Sequence, residues 1–156
     1  MHRNVPTAAK PSDIIILDTD ALSTIQRAGG KDYQALIARL AESPQGQVYV
    51  TIVSFEEQTR GWLSWMAKAK TAEQVVRAYA KLRELLEDFR NRPIIDYTDD
   101  SASKFGELTR ARVRMGTMDL RIASIALVHG ATLLSRNLKH FRKVPGLIVE
   151  DWTIGK

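Results

Sequence analysis

The chain has 156 residues, 44% of them hydrophobic, which is enough for one domain with a sizeable core. It contains no cysteine, which excludes disulfide stapling and thiolate metal sites, and its three histidines, His2, His129 and His140, lack zinc-site spacing. A net charge of +5 suits a surface that attracts phosphate backbones, and equally one that is merely well solvated.

Residues 1–12, MHRNVPTAAKPS, lack the apolar core of a signal peptide and read as a loose tail before a single domain over 13–156. No apolar run approaches ~20 residues, so no membrane span is expected and a cytoplasmic protein is the default. "IIILD" at 14–18 is a continuous apolar run of buried-strand type. In "ALSTIQRAGG", Ala21, Leu22 and Ile25 suit one helical face, and Gly29-Gly30 end it. Tyr33, Leu36, Ile37 and Leu40 mark a second amphipathic helix over 32–43, broken by Pro44 and Gly46. "VYVTIV" at 48–53 is β-branched and bounded, so a strand is expected there. Two long helices follow, over 54–68 and 71–90. The second carries Val75, Val76, Tyr79, Leu82, Leu86 and Phe89 as one stripe. "PIIDY" at 93–97 is a short strand candidate, and Asp99, Asp100 or Ser101 is placed to cap a helix running to Arg112. A helix over 118–129, a strand at "ATLLS" and a last strand at "LIVED" (147–151) complete the pattern.

Strands alternating with helices predict an α/β fold with a mostly parallel sheet. Ligands of such sheets bind beyond the carboxyl ends of the strands, so chemistry is sought where strands end. Three acids stand there. Asp18 directly follows the first strand, where it serves either as a helix N-cap or as a site carboxylate. Asp20 either shares that site or caps the helix. Glu57 lies one turn after the second strand. Ser54-x-x-Glu57 fits a capping box, yet a first-turn Glu is also presented at the sheet's edge near Asp18. Its neighbour Glu56 points about 100° away, so the two do not serve one point. Asp119 opens the helix "MDLRIASIALVHG" on the same face as Ile122, Ala123 and Ala126, as a cap at Gly116-Thr117 or as a third site acid. Clustered carboxylates repel and need a cation, and all-oxygen ligation favours Mg²⁺ or Mn²⁺.

"DTDAL" has a competing resemblance to the Asp-x-Asp-x-Thr/Val loop of haloacid-dehalogenase-like phosphatases, with Asp18 as nucleophile and Asp20 as general acid. Leu22 stands where that loop has Thr or Val, and no Asp-Asp motif follows a later strand. Four stretches together, "LDTDALS", "TIVSFEEQTRG", "GTMDLRIASIAL" and "ATLLSRNLKHFRKVPGLIVEDW", resemble the PIN-domain family, and within it the VapC-type toxins of bacterial toxin–antitoxin modules. They occur in family order and cover most of residues 14–152.

The resemblance implies a three-layer α/β/α fold, a carboxylate pocket for Mg²⁺ or Mn²⁺, and endonucleolytic cleavage of RNA leaving 5′-phosphate and 3′-hydroxyl ends. Its motif positions put the metal ligands at Asp18, Glu57 and Asp119. Glu57 is preferred to Glu56 because the family's Glu precedes a motif Gly by four residues, here Gly61. The family usually has Thr where Ser135 stands and Asn or Asp where Asn137 stands. Many relatives carry an acid where this chain has His140. On this reading Asn137 joins the catalytic set, while Ser135 and Asp20 support the ligands from behind. Arg136, Lys139, Arg142 and Lys143 are candidates for phosphate contacts, with Phe141 turning back as an anchor. Arg110, Arg112 and Arg114 would point to one side if their stretch is extended, and are further RNA-binding candidates. The family also implies a homodimer and a cognate antitoxin, whose peptide fills a groove on the long helices and sets a basic side chain against the acids. Besides a nuclease toxin, the residues leave open a phosphatase and a non-catalytic RNA-binding relative with purely structural acids.

Overall fold

The computed structural model describes residues 13–43 and 47–154; the expected tail and the breakers Pro44 and Gly46 lie outside them. The elements run β1 (Ile15–Leu17), α1 (Thr19–Arg27), α2 (Gly30–Glu42), β2 (Val48–Thr51), α3 (Ile52–Ala67), α4 (Ala72–Arg90), β3 (Ile94–Ile95), α5 (Asp99–Arg110), α6 (Thr117–His129), β4 (Thr132–Leu134), α7 (Leu138–Phe141) and β5 (Ile148–Glu150). The five strands pair in the order β3-β2-β1-β4-β5, and every pairing is parallel.

β1 is central, which explains its unbroken run of apolar residues. Successive side chains of a strand point to opposite faces. Ile16 enters a core with Leu133, Phe141 and the α6 residues Ile122, Ile125 and Ala126. Ile15 and Leu17 enter a second core with Leu22, Leu36, Leu85 and Phe89 from α1, α2 and α4. Helices therefore cover both faces of the sheet. The chain lays β1, β2 and β3 in one direction and then crosses back to lay β4 and β5 on the other side of β1. The order reverses between β1 and β4, so this sheet's switch point lies where Asp18 and Ser135 leave adjacent strands.

Several element ends differ from expectation for local reasons. The β2 strand stops at Thr51, whose hydroxyl caps α3 by accepting from the Ser54 amide, so Ile52 and Val53 are already helical. Thr98, rather than Asp99, Asp100 or Ser101, caps α5, and the two aspartates sit in its first turn, where the helix dipole favours them. That helix ends at Arg110. The stripe read on α4 is rotated. Ala78, Leu85 and Phe89 are buried, whereas Val76, Tyr79 and Leu86 are 69%, 61% and 53% exposed. Helix α6 ends at Gly130, whose left-handed φ of 59° turns the chain into β4. Among the described residues no helix is long and apolar enough to cross a membrane.

Helix α7 has only four residues, too few to hold itself by backbone bonds. Its position depends on Phe141, which is fully buried among α6 and β4 side chains. Phe141→Ala is expected to cost about 3–5 kcal/mol in urea denaturation. A loss under ~1 kcal/mol would mean that this ring does not anchor the segment.

Candidate active site

Asp18 lies one residue past β1, its amide bonded to the Leu134 carbonyl of β4 at 3.0 Å. The side chain is 3% exposed and caps α1, its Oδ1 accepting from the Ala21 amide at 2.7 Å. Burial pushes this carboxyl up to about 7, although the Ser135 hydroxyl and the Ala21 amide pull it down. The charges of Asp20 and Asp119 add to the rise. Asp18 is thus both the cap and a group in the acidic cluster.

Glu57 makes no capping box, because the cap of α3 is Thr51. Its Oε1 instead accepts from Thr19 Oγ1 at 2.7 Å, and Ser54 Oγ lies 2.9 Å from that same hydroxyl. Burial raises the Glu57 carboxyl, Thr19 opposes the rise, and Asp119 and Glu56 add to it. Glu56 points elsewhere, towards Arg60 at 2.6 Å and Arg121 at 3.9 Å.

Asp119 is the third residue of α6, whose Gly116 cap makes no side-chain bond. The residues sharing its face, Ile122, Ala123 and Ala126, are fully buried, which aims Asp119 back over the sheet edge. It has no hydrogen-bond or ion-pair partner among the described residues, and burial raises its carboxyl while nearby His140 opposes.

The remaining candidates follow β4. Ser135 is 2% exposed and its Oγ accepts from the Asn137 amide at 2.9 Å. Asn137 Nδ2 lies 2.9 Å from His140 Nδ1. Lys139 is exposed on α7. Arg136 is not free for a phosphate: it binds Asp20 through two nitrogens and Asp32 through the third. The same pairing takes Asp20 away from the acid cluster and, mainly through these bonds, holds its carboxyl below the usual range. A proton-donating Asp20, which the phosphatase alternative needs, is at odds with that environment. Arg110, Arg112 and Arg114 are exposed, but their stretch is not extended. Arg110 closes α5 and Arg112 takes a left-handed φ of 59°, so strand alternation does not align them. Arg112 and Arg114 do line a common hollow beside Thr117, at the start of α6.

Asp18, Glu57 and Asp119 thus meet electrostatically at the switch point, each carboxyl raised and none paired with Lys or Arg. Oxygen-only donors of this kind suit a hard divalent cation. As the side chains lie, no three acidic or imidazole groups among the described residues close round one ion, and Glu57 is turned to Thr19. The sequence reading missed Thr19, Asp32 and Arg121. Thr19 sits between two candidate acids, a position that invites a hydroxyl contact; Asp32 and Arg121 looked like ordinary surface charges.

A family model described as PIN domain matches residues 15–147. The chain belongs to the PIN-domain family. Ribonuclease VapC2 of Rickettsia felis is 38% identical over 63 residues, covering 38% of this chain and 47% of that protein. Ribonuclease VapC1 of the same organism is 26% identical over 136 residues, covering 86% of this chain and 93% of that protein. The chain spans about half the length of the curated relatives that it matches at the higher identities. The crystal structure of VapBC2 from Rickettsia felis bound to a promoter DNA fragment is similar with a TM-score of 0.64, at 27% identity, over 89% of this chain and 98% of that one.

The raised Asp18 carboxyl fixes the sign of a pH effect. The folded state holds its proton up to about 7, while the unfolded chain releases it near the ordinary aspartate value of 3.8. The contribution favouring the fold is therefore present below pH ~4 and lost as pH rises through ~7. Asn caps as well as Asp and does not titrate. In EDTA, the melting temperature of Asp18→Asn should gain on wild type from pH 4.5 to about 7 and level off by pH 8. A constant difference across that range would show that Asp18 ionises normally.

Proposed function

We propose that this PIN-domain protein is a divalent-metal-dependent endoribonuclease, the toxin of a toxin–antitoxin pair. The observation that carries this is the meeting of Asp18, Glu57 and Asp119 at the switch point, three raised carboxyls without a basic partner. The names of the ribonuclease relatives support the substrate class. Asp18, Glu57 and Asp119 would hold Mg²⁺ or Mn²⁺, which when bound lowers the pKa of a coordinated water and offsets charge building on the phosphate.

The chain's own residues do the rest. The Ala21 amide and Ser135 hydroxyl hold the Asp18 carboxyl in orientation. Thr19 does the same for Glu57. Asn137, with His140 beside it, would offer an amide to the substrate or its attacking water. Lys139, Arg112 and Arg114, exposed on the flanking segments, supply positive charge for the RNA backbone. An antitoxin and a second copy of the chain are the proposed partners, in the cytoplasm. The similar structures of VapBC complexes support the first. The exposed apolar side chains Leu63, Val76, Tyr79 and Leu86 on α3 and α4 are unusual for a surface without a partner.

Cleavage of an oligoribonucleotide in Mn²⁺ tests the site. Asp18→Asn, Glu57→Gln and Asp119→Asn should each lose about two orders of magnitude or more in rate while remaining folded. Glu56→Gln, bound to Arg60 and Arg121, should stay within about threefold of wild type. An active Glu57→Gln with a dead Glu56→Gln would move the site one position along α3.

A further inference from the structure

Arg136 lies between Ser135 and Asn137 on the loop that leaves β4, and its side chain is fully engaged. Its Nε and Nη2 donate to Asp20 Oδ2 and Oδ1, both at 2.7 Å, and its Nη1 donates to Asp32 Oδ2 at 2.7 Å. Asp20 is in the first turn of α1, two residues from Asp18, and Asp32 is in the first turn of α2. One guanidinium therefore ties the β4 exit to the starts of α1 and α2, 116 and 104 positions away in the chain. The bonds to Asp20 form a planar two-point fork, which sets orientation as well as distance. All three side chains are between 37% and 47% exposed, so the pair energies in water are small and the tie adds little to global stability.

Its position gives it another consequence. Across the switch point the backbone is joined by one bond, from the Asp18 amide to the Leu134 carbonyl. Beyond it the β4 exit carries Ser135 and Asn137, and the β1 exit carries Asp18. The Ser135 hydroxyl adds a second link, to the Asp18 carboxyl, and the Ser135 amide holds the β4 exit to Glu150 of β5. The Arg136 fork joins the two exits again two residues beyond that bond on each side.

We propose that Arg136 is a positioning residue that locks the loop bearing Ser135 and Asn137 against the start of α1, fixing Asn137 relative to the Asp18 carboxyl. The inference rests on the nuclease reading. It replaces a phosphate contact by Arg136 with an internal role. Displacements of about 1 Å in a catalytic set cost up to about a hundredfold in rate. Losing the fork therefore acts on turnover and leaves substrate binding intact. Lysine keeps the charge but cannot make the fork.

The test is steady-state cleavage of an oligoribonucleotide in saturating Mn²⁺ by wild type, Arg136→Ala, Arg136→Lys, Asp20→Asn and the double variant Asp20→Asn/Arg136→Ala. Each single variant should lose about tenfold in kcat with KM within about twofold, and the double variant should be no worse than the worst single one. Three results overturn the proposal: unchanged kcat in Arg136→Ala or Arg136→Lys, a loss confined to KM, or additive losses in the double variant. A KM loss in Arg136→Ala together with tighter RNA binding by Asp20→Asn would restore the phosphate contact. If wild type cleaves no RNA at all, the nuclease reading fails separately. The fork is then judged by hydrogen exchange in metal-free protein. Exchange at the Asn137 and Ala21 amides, bonded to Ser135 and Asp18, should be about tenfold faster in Arg136→Ala, and unchanged exchange overturns the proposal.

Discussion

Asp18 leaves the central strand at a point that water scarcely reaches. Helices cover both faces of β1, β4 runs alongside, and the carboxyl is turned inward to cap α1. Two donors near it fall short of what a buried charge requires, and the nearest other charges are acids. The carboxyl responds by holding its proton to about neutrality. A buried carboxyl in this position either remains protonated or is given a cation. The proposed chemistry follows from the second choice, and the surrounding contacts make sense in terms of it.

Those contacts sort the acids near the sheet edge into two groups. Glu56 is taken by Arg60 and Arg121, and Asp20 and Asp32 by Arg136. Asp18, Glu57 and Asp119 receive hydroxyls, an amide or the field of an imidazole, but no lysine or arginine. A chain with 23 basic residues does not lack cations to pair with them. Arginines neutralise the competitors, and the trio is left without one, which is what the proposed cation site requires. The hydroxyl of Thr19 bonds Glu57 without cancelling its charge.

The elements were legible in sequence wherever one periodicity ruled. The apolar run at 14–17 and the helix beginning at Thr117 were plain, because both are buried nearly all round and carry few competing signals. The parallel α/β architecture followed from their alternation, and the strand pairings bear it out. Ends were harder. Thr51 and Thr98 cap their helices from positions that look like strand or loop, since a threonine hydroxyl serves either setting. The α4 stripe was misread because Val76, Tyr79 and Leu86 are apolar yet lie outside the core, while the buried face is marked by the unremarkable Ala78. The acids could be ranked by their place after strands. Their partners could not: nothing in "SRN" says that Arg136 reaches two aspartates over a hundred positions away, and the extended reading of "TRARVR" gave way to a helix end and a left-handed Arg112.

If the proton on Asp18 holds the place of a cation, a bound metal ion must displace it. Calorimetric titration of the metal-free protein with Mn²⁺, repeated in buffers of different ionisation enthalpy, counts the protons displaced. Near pH 6 the expected result is release of about one proton per ion bound, falling towards none by pH ~9, with binding and release both lost in Asp18→Asn. Mn²⁺ binding that releases no proton near pH 6, or that persists unchanged in Asp18→Asn, would contradict it.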